Sequence, residues 1–204
     1  GKTIIQKAIT DGRQSLLENE AKQLFGIHGA PVSSELLAKT EDEALECAKK
    51  LDTEVAMKIV SPDILHKSDA GGVRIKLGSE KEIRSAYREV IKNSKRYNAK
   101  ADIRGVLVSP MADEGVEVII GTKIDDQFGP VIMFGLGGIF VEIFEEAVLR
   151  VAPVTREEAY SMIDELKGAQ ILMGARGQKR FDIHAVVDAI LRMEEQRHEL
   201  LSNW

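Results

Sequence analysis

His66-Lys67-Ser68-Asp69-Ala70-Gly71-Gly72-Val73 brings an imidazole, an ammonium, a hydroxyl, a carboxylate and two adjacent glycines into one short stretch. Consecutive glycines let successive backbone N–H groups approach an anion, as in the nests that cradle phosphate oxygens. Two glycines alone fit a hairpin turn equally well. The groups ahead of them favour the phosphate reading. A neutral imidazole nitrogen is nucleophilic near physiological pH, so His66 is a candidate phosphoryl acceptor, with Asp69 able to orient the ring or support its cation. A solvated loop histidine is the competing reading. His28, His184 and His198 lie in helical or turn contexts without a matching glycine-rich loop, and read as structural.

Just upstream, Lys58 interrupts the apolar run Val55-Ala56-Met57-Lys58-Ile59-Val60. An unpaired ammonium is costly to bury, so Lys58 requires a partner. It is either a solvated lysine on an edge strand or a cation aimed into a cleft to meet a phosphate. Downstream, Glu117 alternates with Val116 and Val118, and reads either as an exposed strand carboxylate or as an acceptor for sugar hydroxyls. Gly135-Leu136-Gly137-Gly138 follows an apolar strand, but neither a full G-x-G-x-x-G fingerprint nor a G-x-x-x-x-G-K-[ST] loop is present. One cysteine and scattered histidines give no zinc-ligand spacing.

Thr40 with Glu43, Ser79 with Glu82 and Thr155 with Glu158 have capping-box spacing, and each precedes an apolar repeat of helical period. The third helix is expected to run through Leu166 to a cap at Gly168. Further helices are expected over Leu16 to Phe25 and from Asp182. Strands are expected at Val55 to Val60, Gly72 to Leu77, Ile103 to Pro110, Val116 to Ile124, Pro130 to Phe134 and Ala147 to Val154. The pattern is α+β in two lobes, with a seam near Ser109 to Gly115. With 44% hydrophobic and 30% charged residues, the chain can bury a substantial core. No apolar run approaches the ~20 residues of a membrane helix. A net charge of -5, no basic block and few aromatics argue against a nucleic-acid partner. The first residues hold no secretory apolar stretch and Cys47 is alone, so a cytoplasmic setting is expected.

Four stretches together resemble the ATP-grasp domain of ADP-forming acetyl-CoA (acyl-CoA) synthetases, related to the succinyl-CoA synthetase β subunit. They are Val55 to Ile59, His66 to Val73, Gly115 to Val118 and Gly129 to Glu142. The resemblance implies an ATP-grasp fold of two α/β lobes with the nucleotide bound between them. Residues 1–108 would form the N-terminal region and first lobe, and 109–204 the second, cut short at its C-terminus. It implies that Lys58 touches the nucleotide phosphates and that the loop of Gly71, Gly72 and Val73 covers them. Ser109, Pro110 and Met111 would form the hinge whose backbone reads adenine, Glu117 would hold ribose, and Glu142 would be an acidic residue of the site.

The activity so implied is that of an acid–thiol ligase, interconverting acyl-CoA, phosphate and ADP with acid, CoA and ATP. A CoA-binding α subunit or domain would form the acyl phosphate and pass the phosphoryl group, as phosphohistidine, to His66, with Asp69 assisting. The assembly would be a hetero-oligomer using ATP/ADP and Mg2+. The metal ligands stay unassigned here, because the family's E-x-D-x-N-P strand and a later Asp are expected beyond residue 204. Two alternatives share the fold: a nucleotide-sensing domain of an acetyltransferase fusion, and a direct carboxylate ligase that does not require His66.

Overall fold

A computed structural model describes residues 1–113, 115–138, 147–174 and 181–202, with side chains through residue 196. The chain forms two compact units, Gly1–Asp113 and Glu114–Trp204.

The first unit comprises α1 (Lys2–Thr10), α2 (Glu18–Ile27), β1 (Leu36–Ala38), α3 (Glu41–Leu51), β2 (Val55–Val60), β3 (Val73–Leu77), α4 (Glu80–Tyr97) and β4 (Gly105–Pro110). The strands form an antiparallel sheet in the order β1-β4-β2-β3. β2 is therefore interior. Because side chains alternate along a strand, Val55, Met57 and Ile59 join one core cluster with Ala44 and Ala48 of α3 and Ile83, Ala86 and Val90 of α4. Lys58 projects from the opposite face, and it is the one position of β2 that is not buried.

The second unit contains β5 (Val118–Asp125), β6 (Gly129–Leu136), β7 (Ala147–Val151), α5 (Arg156–Asp164), α6 (Ala169–Leu172) and α7 (Ile183–Ser202). Its described strands pair antiparallel in the order β5-β6-β7. Ile132, Phe134, Leu136 and Val148 pack against Ala159, Met162 and Ile163 of α5 and Val187 and Ile190 of α7. The other sheet face carries exposed apolar side chains, among them Ile119, Leu149 and Val151.

The expected caps form with one variation. At Ser79 and Thr155 the boxes are reciprocal: Glu82 N–H donates to Ser79 Oγ and Ser79 N–H to Glu82, with the same exchange between Thr155 and Glu158. At Thr40 only half forms, because the Glu43 carboxylate accepts from Lys39 N–H instead, one residue earlier. The helix after Thr155 ends at Asp164, short of Leu166, and Gly168 serves as the N-cap of α6. Three short elements, α1, β1 and the four-residue α6, escaped the sequence reading. α1 buries only Ile5 and Ala8, and β1 has three residues, too few for a periodic signal.

The first unit extends through Asp113, within the expected seam of Ser109 to Gly115. Ser109 and Pro110 pair in register with Ala56 and Val55, and Met111 N–H donates to Glu54 O at 2.9 Å, which keeps all three with the first sheet.

Phe134 is fully buried. Phe134→Ala is expected to cost about 3–5 kcal/mol, through lost transfer energy and the cavity left behind, as measured by urea unfolding followed by circular dichroism.

Candidate functional site

The interior position of β2 removes the edge-strand reading of Lys58, and its partner comes from α2. Glu18 opens that helix, where the dipole favours a carboxylate. Lys58 Nζ donates to Glu18 Oε1 at 3.3 Å, and Lys67 Nζ donates to Oε2 at 2.5 Å. Lys22, one turn on, lies 3.3 Å from the same Oε1 and also pairs with Glu35. Burial acts to raise the Glu18 pKa. The Lys67 hydrogen bond and the charges of Lys58, Lys67 and Lys22 override it and hold the carboxyl at about 2.

The loop after β2 is anchored at both ends. Ile64 and Ala70 are buried in the first core cluster, and Ser61 Oγ accepts from Asp63 N–H at 3.2 Å. Ala70 N–H donates to His66 O, Gly71 N–H to Ser68 O and Gly72 N–H to Lys67 O. The two glycine donors are thus spent inside the turn, and do not face outward as a phosphate nest. The glycines answer to packing and backbone conformation. Gly71 has φ of +61°, and a Cβ on Gly72 would stand 2.6 Å from Ile59 Cγ2. Gly72 O in turn accepts from Ile59 N–H at 2.8 Å, fastening the turn to β2. Asn93 Nδ2 donates to Gly71 O from α4 at 3.3 Å.

His66 and Asp69 are exposed, and neither side chain has a hydrogen-bond or ion-pair partner among the described residues. The expected contact of Asp69 with the His66 ring is absent in this structure, since both side chains point to solvent from a tight turn. Val73 opens β3 opposite Lys58. Ser109 is buried, and with Pro110 lacking an N–H and Met111 N–H bonded to Glu54, the donors of this segment are largely committed.

In the second unit Glu117 is exposed and immediately precedes β5, while Val116 and Val118 turn toward the core. Gly137 N–H donates to Glu117 O at 2.7 Å. A Cβ on Gly137 would lie 3.1 Å from Glu117 Cβ, and one on Gly138 would lie 3.2 Å from its Cδ. The paired glycines after β6 therefore leave room for this carboxylate. Glu142 lies outside the described residues. Of the other histidines, His184 Nδ1 sits 2.5 Å from Tyr160 Oη, a contact between α7 and α5.

The structure thus gathers Lys58 and Lys67 onto Glu18, with His66 next in sequence to Lys67. The sequence reading passed over Glu18. Its spacing of four from Lys22 was a visible signal. Nothing in sequence tied it to Lys58, 40 residues on. Among the described residues no three His, Cys, Asp or Glu side chains converge as a metal site, and no helix is long and apolar enough to cross a membrane.

Comparison with known proteins gives consistent matches. The sequence profile of a family described as the ATP-grasp domain matches residues 7–200. The chain is 47% identical over 192 residues to the β subunit of acetate–CoA ligase [ADP-forming] II of Pyrococcus furiosus, covering 94% of this chain and 81% of that one. It is also similar to an acetyl-coenzyme A synthetase of Ca. Korarchaeum cryptofilum solved with coenzyme A, Ca-AMPCP and HgCl+. There the TM-score is 0.93 at 47% identity, over 97% of this chain and 86% of that one. A second structure of that synthetase, with coenzyme A and Mg-AMPPCP and its phosphohistidine segment pointing towards the nucleotide-binding site, matches with a TM-score of 0.81 at 44% identity, over 96% and 84% of the two chains.

Gly72→Ala is expected to destabilise the chain by about 1–3 kcal/mol through overpacking against Ile59, as read by thermal unfolding. The Glu18 carboxyl has its pKa lowered from 4.5 to about 2 by folding, so its contribution is fully present above pH 4.5 and is lost as pH falls towards 2. With solvent screening that contribution is roughly 1–3 kcal/mol. In acid unfolding followed by circular dichroism, Glu18→Gln should flatten the loss of stability across this window. An unchanged acid profile would rule the contribution out.

Proposed function

This chain belongs to the ATP-grasp domain family, and from that membership we propose that it is the nucleotide-binding β subunit of an ADP-forming acetate–CoA (acyl-CoA) ligase. The similarity to the Pyrococcus furiosus β subunit extends over most of both chains and supports this reading. The geometric observation that carries it is the pairing of Lys58 and Lys67 on one carboxylate beside the His66 turn. Two ammonium groups so placed can neutralise the charge of a polyphosphate, and phosphoryl transfer depends chiefly on such positioning and neutralisation.

In this reading Lys58 contacts the nucleotide phosphates, the loop of Gly71, Gly72 and Val73 lies over them, and Glu117 accepts from the ribose hydroxyls. Phosphate contacts from the loop fall to side chains and to N–H groups other than those of Ala70, Gly71 and Gly72, which are already bonded. Adenine is read at Ser109, Pro110 and Met111. Since Met111 N–H is donated to Glu54, that recognition uses other backbone groups. Glu142 is retained as an acidic residue of the site. Magnesium accompanies the nucleotide in a similar structure. The described residues provide no clustered ligand set to hold it.

The partner is a CoA-binding α subunit or domain, on which acyl-CoA and phosphate give acyl phosphate and CoA. The phosphoryl group travels to this chain as phosphohistidine. The exposure of His66 suits it to meet a group delivered from outside. A neutral ring nitrogen of His66 attacks phosphorus, a new N–P bond forms, and the bond to the donor breaks with its electron pair leaving on the donor. The β-phosphate oxygen of ADP then attacks the phosphohistidine phosphorus, the N–P bond breaks with its pair returning to the ring, and ATP is formed. Asp69 is placed near enough in sequence to assist the cationic ring once a phosphoryl group or partner reorders the turn.

Reversal of the last step provides the test. Incubating the chain with [γ-32P]ATP and Mg2+ should give a protein label stable to alkali and labile to acid. His66→Ala should abolish that label and, with the CoA-binding subunit present, lower ATP formation by at least about 100-fold. ADP affinity, measured by titration calorimetry, should stay within about twofold. Normal turnover by His66→Ala would exclude the relay and leave direct transfer as the mechanism.

A further inference from the structure

Glu18 joins three separate parts of the first unit: its own helix α2, the interior strand β2 through Lys58, and the His66 turn through Lys67. We infer that Glu18 is a positioning residue for nucleotide phosphates, its two carboxylate oxygens holding the Lys58 and Lys67 ammonium groups side by side for one polyphosphate. The inference rests on the nucleotide reading above and adds the group that organises its cationic side.

Lysine side chains are long and lose considerable rotamer freedom when held in place, and two like charges do not settle next to each other without a counter-charge. Glu18 supplies that counter-charge. Each ammonium carries three donors and gives one to Glu18, so donors remain on both for phosphate oxygens. The carboxylate is also the least exposed of the three side chains, at 21% against 33% for Lys58 and 25% for Lys67. It therefore backs the ammonium groups without occupying the space in front of them. Lys22 and Glu35 extend the network, and the three lysines exceed the two glutamates by one positive charge, so the cluster still attracts an anion. Strong depression of the Glu18 pKa keeps its carboxylate ionised at any pH where the enzyme would work.

The test uses the full chain and MgATP binding by titration calorimetry, with folding checked by circular dichroism. Glu18→Gln keeps the size and removes the charge, and should weaken binding about tenfold, the scale of one charge-assisted hydrogen bond. Glu20→Gln, whose carboxylate instead pairs with Arg13, should stay within about twofold of the unsubstituted chain. In a Lys67→Met background the loss caused by Glu18→Gln should shrink to about threefold, since part of its action runs through the lysine already removed. Losses that multiply independently would mean a merely structural role and overturn the inference. Equal or tighter binding by Glu18→Gln would make the carboxylate idle or a competitor of phosphate, overturning the inference while leaving the nucleotide reading intact. An unsubstituted chain that binds no MgATP would overturn both. Should Glu18→Gln not fold, Glu18→Asp, which keeps the charge and withdraws it by one methylene, carries the same comparison.

Discussion

An ammonium group on an interior strand must be compensated where it stands, because neither of its neighbouring strands nor the apolar side chains beside it can solvate the charge. In this chain the compensation at Lys58 comes from Glu18, at the start of a helix 40 residues earlier. The same carboxylate takes Lys67, so meeting the need of one half-buried lysine also ties down the turn that carries His66. A partly exposed pair of this kind is weak evidence for added stability, since solvent screening and desolvation offset much of the attraction. Its clear consequence is geometric: two cations are brought together from a strand and a loop.

The glycines of the two units show a related division between chain packing and ligand contact. Gly71 and Gly72 invite interpretation as a phosphate nest, yet their N–H groups are bonded within the turn, and the space at Gly72 is closed by Ile59. They set the shape of the loop and fasten it to β2, and charged side chains do the recognising. Gly137 and Gly138 lie against Glu117, making room for a carboxylate on the far side of the second unit's core. In both units the candidate residue stands on the sheet face turned away from the helices that form the main core cluster. In the first unit α3 and α4 pack on one sheet face, and α2 reaches Lys58 from the other through Glu18.

Local interactions were the most legible part of the fold. Reciprocal capping at Ser79 and Thr155 depends on residues three apart, and the apolar run at Val55 to Val60 forms β2 with those bounds. Errors arose where a local signal had two uses. Gly168 fits a helix end as well as a helix start, and Ser109-Pro110-Met111 resembles a linker until pairing with Glu54, Val55 and Ala56 draws it into the first sheet. At the site, Lys58 and the His66 loop stood out by composition. Glu18 did not, because a glutamate in the first turn of a helix is ordinary wherever it occurs.

By itself, then, the sequence determined most of the order of elements, the α+β pattern in two lobes, the need of Lys58 for a partner and the concentration of reactive groups at His66 to Val73. These rest on periodicity, capping and charge within short windows. Only the tertiary structure decided that β2 is interior, that Glu18 is the partner, that the loop glycines turn their donors inward, and that His66 and Asp69 stand apart and exposed. Each of those facts depends on contacts between segments distant in the chain, whose pairing is set by strand order and close packing and leaves no trace in local spacing.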